Sequence, residues 1–310
     1  MHSFEGRTAV VTGGGHGMGR ELVVQLVEQG CNVAMCDINL DAMAETRSLA
    51  HTKAPSSDIR ITDHICDVAD EAAVEVFRDE VLLQHDLDHI NVLFNNAGVG
   101  GGGSFVAGDR AEWERTFDIC WGGVYSVARV FVPLLVAADE GVIINTSSVN
   151  GFWAALGPGI PHTAYSSAKF AVKGFTEALM EDFRMNAPHV SAALVMPGHI
   201  GTEIVNNSRK MFGGVTDADA VRQNMIRRGM PADTMSDEDL VALANRMGDM
   251  FRDAAPLTAA QAATIILDAV KAGEWRILVG DDAHALDEAV RADPHAAYGP
   301  GGLSLGALRD

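Results

Sequence analysis

The chain has 310 residues, 47% hydrophobic and 21% charged, with 32 glycines, which is enough apolar material for a sizeable core and excludes wholesale disorder. Its net charge of −19 and pI near 4.8 repel phosphate backbones and exclude a nucleic-acid partner. Four scattered cysteines, no C-x-x-C or H-E-x-x-H pattern, no signal-like start over Met1 to Gly6 and no evident membrane run predict a reduced, cytoplasmic protein without metal or membrane.

In chain order, Arg7–Thr12 (RTAVVT) predicts a buried strand, and a helix over Met18–Gln29 ends at Gly30. Strands follow at Asn32–Asp37, Ile59–Asp67 and Ile90–Asn95, separated by helices at Asp41–Ala50 and Asp70–Gln84. Asp109–Val136 predicts one long helical stretch, Gly141–Ser147 a strand, Thr163–Asn186 a helix and Val190–Met196 a sixth strand. Strands this apolar, alternating with helices, call for a doubly wound parallel α/β sheet covered on both faces.

After Met196 the pattern changes. The segment 203–255 predicts short helices, one opened by Ser236-x-x-Asp239, and reads as a helical insertion over the site. Thr258-x-x-Gln261 opens a helix to Lys271 that stops at Gly273, and Arg276–Val279 supplies a seventh strand. The division is one domain over 1–280 and an extension over 281–310, whose Gly299–Gly302 stretch predicts a loosely held tail.

Between the first strand and the first helix lies Thr12-Gly13-Gly14-Gly15-His16-Gly17-Met18-Gly19. Glycines there let the backbone approach a pyrophosphate seated on helix N–H groups. The spacing is T-G-x-x-x-G-x-G and not G-x-G-x-x-G. The literal pattern occurs at Gly98, Gly100 and Gly103, with no helix opening after it, and reads as a loop. Asp37 ends the second strand, where a carboxylate binds an adenosine ribose and repels a 2′-phosphate, so NAD is expected over NADP. An Asp opening a turn before Asn39 is the alternative, and His16 and Arg20 are the groups that could meet a phosphate.

The ordered set Thr12–Gly19, Asp67-Val68, Asn95-Asn96-Ala97-Gly98, Ser148, Tyr165-x-x-x-Lys169 and Pro197-Gly198 with Thr202 resembles the short-chain dehydrogenase/reductase family, from Gly6 to about Gly280. The resemblance implies a Rossmann fold and a hydride-transferring oxidoreductase. It implies a cofactor site from Gly13, Gly15, His16, Gly17, Met18 and Gly19 in the loop, with Asp37 at the ribose. Asp67 and Val68 fall at the adenine, and Asn96, Ala97 and Gly98 beside the adenosine. Pro197, Gly198, Ile200 and Thr202 fall at the carboxamide.

Tyr165 and Lys169 are i and i+4 on one helix face, in a chain with only three tyrosines. A phenol of pKa about 10 is a poor base at neutral pH, and bringing it there takes roughly 4 kcal/mol of differential stabilisation. A neighbouring ammonium and an oxidised nicotinamide both supply it. Tyr165 then acts as acid/base, while Lys169 also binds the nicotinamide ribose. Ser148 would orient the substrate oxygen, with Ser147 as its rival. The resemblance also places an asparagine, which bends the helix after Trp113 and holds a relay water, where this chain has Cys120. We expect the carbonyl of residue 120 and Lys169 to keep that water, with reduced activity; alternatively Cys120 is a small buried residue.

Seventeen positions separate Ser148 from Tyr165, about four more than usual in the family, so the Gly- and Pro-rich insert within Phe152–Thr163 is expected to reshape the pocket rim. Six of thirteen methionines fall between Met211 and Met250 and, with Phe212, Ile226 and Phe251, suggest a lid over a hydrophobic alcohol or ketone, alicyclic or steroid-like. Packing of the insertion on the core is the equal alternative. A homodimer or homotetramer through the helices of 109–136 and 163–186 follows from the resemblance. The competing functions are a non-catalytic NAD(H) sensor or scaffold, motivated by Cys120, and a sugar-nucleotide epimerase or dehydratase, whose usual T-G-x-x-G-x-x-G is missing.

Overall fold

A computed structural model describes residues 1–213, 218–227 and 232–304. The apolar runs form strands β1 (Thr8–Thr12), β2 (Asn32–Asp37), β3 (Ile61–Ile65), β4 (Val92–Asn95), β5 (Gly141–Thr146) and β6 (Val190–Pro197). Two short strands, β7 (Ile200–Gly201) and β8 (Leu257–Thr258), and then β9 (Arg276–Val279) follow. The main sheet has the order β3-β2-β1-β4-β5-β6-β9 and every pairing in it is parallel. The strand order reverses between β1 and β4, which opens a crevice at the strands' carboxyl ends.

Helices α1 (Gly17–Glu28), α2 (Leu40–Lys53) and α10 (Ala259–Ala272) cover one face, where Leu22, Leu26, Met43, Ile266 and Leu267 meet the sheet. The other face carries α3 (Glu71–His85), α4 (Arg110–Phe117), α5 (Gly123–Ala137) and α6 (Thr163–Asn186), with Phe77, Phe131, Leu135 and Phe183 as its core. Helix α10 starts with a full capping box between Thr258 and Gln261 and ends at Gly273 in the left-handed conformation.

The predicted long helix over 109–136 is interrupted. A π-helical segment, Asp118–Gly122, separates α4 from α5 and carries Cys120. The continuous stretch Arg110–Ala137 is also long and apolar enough to span a membrane by composition, at a mean hydropathy of 1.7, contrary to the expectation of no such run. Arg129 is the sole charge between Ile119 and Ala137, and the helix packs its Val124, Val127, Phe131 and Leu135 side chains into the core.

The insertion is helical: α7 (Ile204–Met211), α8 (Ala218–Arg227) and α9 (Asp237–Asp253). The pairing of β7 with β8 ties its two ends together at its base. The extension is built against the domain ahead of the Gly299–Gly302 stretch. It forms α11 (Asp281–Ala292), and Ala283, Leu286 and Ala297 build a small core with Val149 and the fully buried Trp153. Trp153 Nε1 donates to the Ala297 carbonyl at 3.1 Å, and the Ala154 N–H donates to Tyr298 Oη at 3.0 Å. An indole and a phenol anchored this way fix both the tail and the insert it covers.

Candidate active site

The loop after β1 turns sharply into α1. Gly13 has φ 69°, and a Cβ there would lie 2.9 Å from the Ala97 Cα. A Cβ at Gly19 would sit 2.0 Å from the Gly13 carbonyl oxygen, so the first helical turn closes onto the loop only without a side chain. Thr12 braces the neighbouring strand: its Oγ1 accepts from the N–H groups of Asn96 and Ala97 at 3.0 Å each, while Asn96 Nδ2 donates to the Thr12 carbonyl. Gly13, His16, Gly17, Met18, Asp37, Asp67 and Val68 line one groove, of about 440 Å³, together with Asn96, Ala97, Gly98 and Thr202. Gly15 and Gly19 stand behind it, shaping the loop.

Asp37 opens the turn before Asn39 and also lines the groove. Its Oδ2 accepts the Gly15 N–H at 3.0 Å and its Oδ1 accepts the Asn39 N–H at 3.1 Å, while Asn39 caps α2. Arg20 is committed elsewhere: Nε donates to the Gly15 carbonyl and Thr46 Oγ1, and Nη2 pairs with Glu45 at 2.7 Å. Asp67 holds the Ala69 N–H on Oδ1 and pairs with Arg115 at 2.5 Å through Oδ2. Arg115, 48 residues away, was not read from the sequence.

Past the groove a second cavity of about 530 Å³ opens at the ends of β5 and β6. Ser148, Tyr165, Lys169, Pro197, Gly198, Ile200 and Thr202 line it. Met18, Asn96, Gly98 and Thr202 border both spaces, which are therefore continuous. Ser147, the rival serine, is buried and donates to the Lys169 carbonyl at 2.8 Å, whereas Ser148 lines the cavity with Tyr165, its Oγ accepting the Asn150 N–H at 3.1 Å. Lys169 is buried, donates from Nζ to the Thr146 carbonyl at 2.8 Å and lies 5.4 Å from the Tyr165 ring centroid.

Burial pushes the Tyr165 phenol above its ordinary value, the nearby Cys120 adds to this, and Ser148 opposes it. Burial lowers Lys169, with Cys120 acting the other way. The expected lowering of the phenol is therefore not a property of the protein alone. Desolvation of the phenolate outweighs the ammonium beside it.

Cys120 Sγ donates to the Val99 carbonyl at 3.2 Å and accepts the Val99 N–H at 3.5 Å. The thiol thus pins the strand-end loop, and the helix deviates at this position without an asparagine. The literal G-x-G-x-x-G stretch has a different job. The Gly102 and Gly103 carbonyls accept the N–H groups of Ala164 and Thr163, clasping the start of α6.

The cover departs from the expected methionine lid. Met225, Met235 and Met247 pack among α8 and α9 residues, Met211 lines the cofactor groove, Met250 is exposed, and Met230 lies outside the described residues. Ile226 is exposed as well. The cavity's apolar wall comes from Ile204, Val205, Phe212 and Phe251, with Leu156 from the insert. Sequence reasoning also missed His162 on the cavity wall, stacked on Tyr165, and His199, whose Nε2 meets the Phe251 carbonyl at 2.6 Å and fastens α9 to the loop after β6.

A glycine turn at the first strand, a strand-end serine and a Tyr–Lys pair on one helix occupy one continuous cleft. The model of the short chain dehydrogenase family matches residues 7–212. The chain belongs to the short-chain dehydrogenase/reductase family. Among its relatives is the Mycobacterium tuberculosis protein SadH, described as an oxidoreductase, 32% identical over 94% of this chain and 92% of its own length. A levodione reductase of Leifsonia aquatica is 29% identical over 67% of this chain and 75% of its own. Among solved structures, a short-chain dehydrogenase/reductase from Burkholderia phymatum in complex with NAD superposes with a TM-score of 0.77, at 25% identity, covering 97% of this chain and 98% of its own. The short-chain dehydrogenase fold accounts for the sheet order and the cleft, and membership makes this chain an oxidoreductase that binds a nicotinamide nucleotide.

Proposed function

We propose that this short-chain dehydrogenase uses NAD to move a hydride between nicotinamide and a hydrophobic secondary alcohol or ketone. The observation that carries the reading is the convergence of Ser148, Tyr165 and Lys169 at the wall of a largely apolar cavity continuous with the dinucleotide groove. The cofactor supplies the hydride chemistry. In oxidation, Tyr165 Oη takes the alcohol proton; in reduction it donates a proton to the developing alkoxide. Ser148 orients and stabilises the substrate oxygen. Lys169, held by the Thr146 carbonyl, puts an ammonium beside the phenol and would hold the nicotinamide ribose.

Several observations favour NAD. Each Asp37 oxygen accepts only one backbone N–H, which leaves lone pairs for ribose hydroxyls, and its charge opposes a 2′-phosphate. Arg20, the cation that directly follows the glycine loop, is consumed by Glu45 and Gly15. The levodione reductase among the relatives fits a ketone substrate. Exposed Tyr125, Val136 and Phe170 on α5 and α6 favour a homo-oligomer built on these helices. The working picture is an enzyme acting on small molecules in the cytoplasm, with no membrane or nucleic-acid partner. Initial rates with NAD⁺ and NADP⁺ across linear, cyclic and steroid secondary alcohols test it. NAD⁺-dependent turnover of a cyclic alcohol is expected, and a preference for NADP⁺ overturns the reading of Asp37.

A further inference from the structure

His162 stands three residues before Tyr165 and lines the same cavity. Its imidazole stacks on the Tyr165 ring with centroids 4.7 Å apart and planes 15° apart. It occupies the position preceding α6, where a side chain ordinarily caps the helix, yet it makes no capping bond. That task is done by the Gly102 and Gly103 carbonyls, which take the first N–H groups of the helix. The imidazole Nδ1 is buried and finds no hydrogen-bond partner among the described residues. Enclosed by protein, that nitrogen is out of a ligand's reach, which leaves Nε2 as the edge available to the cavity. Burial also lowers the His162 pKa to about 4, so the ring is neutral at working pH and carries one N–H. An orphaned N–H is costlier than an orphaned acceptor, which puts the proton on Nε2 and makes that edge a donor.

Building on the oxidoreductase reading above, we propose that His162 hydrogen-bonds a second oxygen of the substrate, so that the site selects alicyclic alcohols or ketones bearing another hydroxyl or carbonyl. Tyr165 and His162 line the same cavity, so one bound molecule can meet both. The rest of the wall, from Leu156, Val205, Phe212 and Phe251, accepts the hydrocarbon frame. His162 is thereby a specificity-determining residue, separate from the proton transfer at Tyr165.

The test compares cyclohexanol with 1,3-cyclohexanediol. Alcohols added to the enzyme–NADH complex cannot react, so NADH fluorescence gives their dissociation constants without turnover. The wild-type enzyme is expected to bind the diol about tenfold or more tightly than cyclohexanol, the usual worth of a polar contact made in a buried site. His162→Phe keeps the stacked ring and removes the nitrogens. It should abolish the preference and leave cyclohexanol binding unchanged, and His162→Gln should restore part of the preference. Equal affinities in the wild type, or a preference that survives in His162→Phe, overturns the proposal. A loss of affinity for both alcohols in His162→Phe, with NADH binding retained, also overturns it, because it marks the ring as packing only. Oxidation of cyclohexanol by NAD⁺ is read separately. Diol selectivity without any turnover upholds His162 while removing the catalytic reading, so the two failures are distinct.

Discussion

The floor of the cleft and its cover are built differently. On the floor, side chains around the reacting groups are fixed by backbone within the sheet and the helix next to it: Lys169 by Thr146, Ser147 by Lys169, Asn96 by Thr12. Beneath them a buried ladder runs from Asn95 through Asn145 to Thr176, each step 2.8 or 2.9 Å. Among the described residues the cover is held instead by partly exposed bonds, Arg252 to Glu203 and Asn206 to Asp249 among them. Its insert hangs on Trp153 and Ala154, which bond residues 144 positions away in the extension, and its lid is fastened through His199 to Phe251. A satisfied buried network rigidifies, while a few long-range bonds leave a wall adjustable. Floor and cover should therefore fail in different kinetic constants.

The largest effect should come from Lys169→Met. Losing the buried ammonium strips the phenol of its cationic neighbour and leaves the Thr146 carbonyl unpaired. We expect kcat to fall by about a thousandfold, within the 10²–10⁴ range for acid–base chemistry, with weaker NADH binding. Steady-state rates and NADH titration check this, and a loss in KM alone would break the division. Next, Gly19→Ala must push the loop away from Gly13, and NADH affinity should drop on the order of a hundredfold, since helix-start N–H groups lose their aim at the phosphates. Calorimetric titration with NADH reads it directly.

Trp153→Phe tests the cover. It removes one hydrogen bond worth about 1 kcal/mol, so substrate KM should rise about fivefold while kcat and NADH affinity hold. An equal fall in kcat would mean that the insert belongs with the floor.

The smallest effect concerns stability and lies away from both regions. His85 is held down to about 4 by burial, then by the charges of His64 and Arg60. Its folded pKa lies below the ordinary 6.5, so the unfolded chain takes up the proton first. The stability this provides is complete above pH 6.5 and is lost as the pH falls towards 4. Melting temperature against pH should decline over that window, and less steeply in His85→Gln.

The floor was readable from sequence because its chemistry demands particular residue types at fixed offsets. A loop that admits no Cβ must be glycine, and a phenol and an ammonium on one helix face must be four apart. The strands were readable from their apolar runs, to within a few residues at their ends. The cover's helices were readable, but not what each of them meets, because those partners share no local pattern. Nothing near Trp153 announces Ala297, nothing near Asp67 announces Arg115, and three of the six methionines that suggested a pocket lining pack among α8 and α9 residues. The π-helical break at Cys120 also escaped, since the apolar periodicity continues through it. The upward push of burial on the phenol was not readable either, because burial is a tertiary property that the spacing does not reveal.

The most direct test of the account is NADH formation from a cyclic secondary alcohol by Tyr165→Phe, measured beside its NADH dissociation constant. The account predicts turnover in the wild type, a loss of at least a hundredfold or so in the variant, and unchanged NADH affinity. A variant that keeps the wild-type rate would contradict the assignment of Tyr165 as the proton-transferring group.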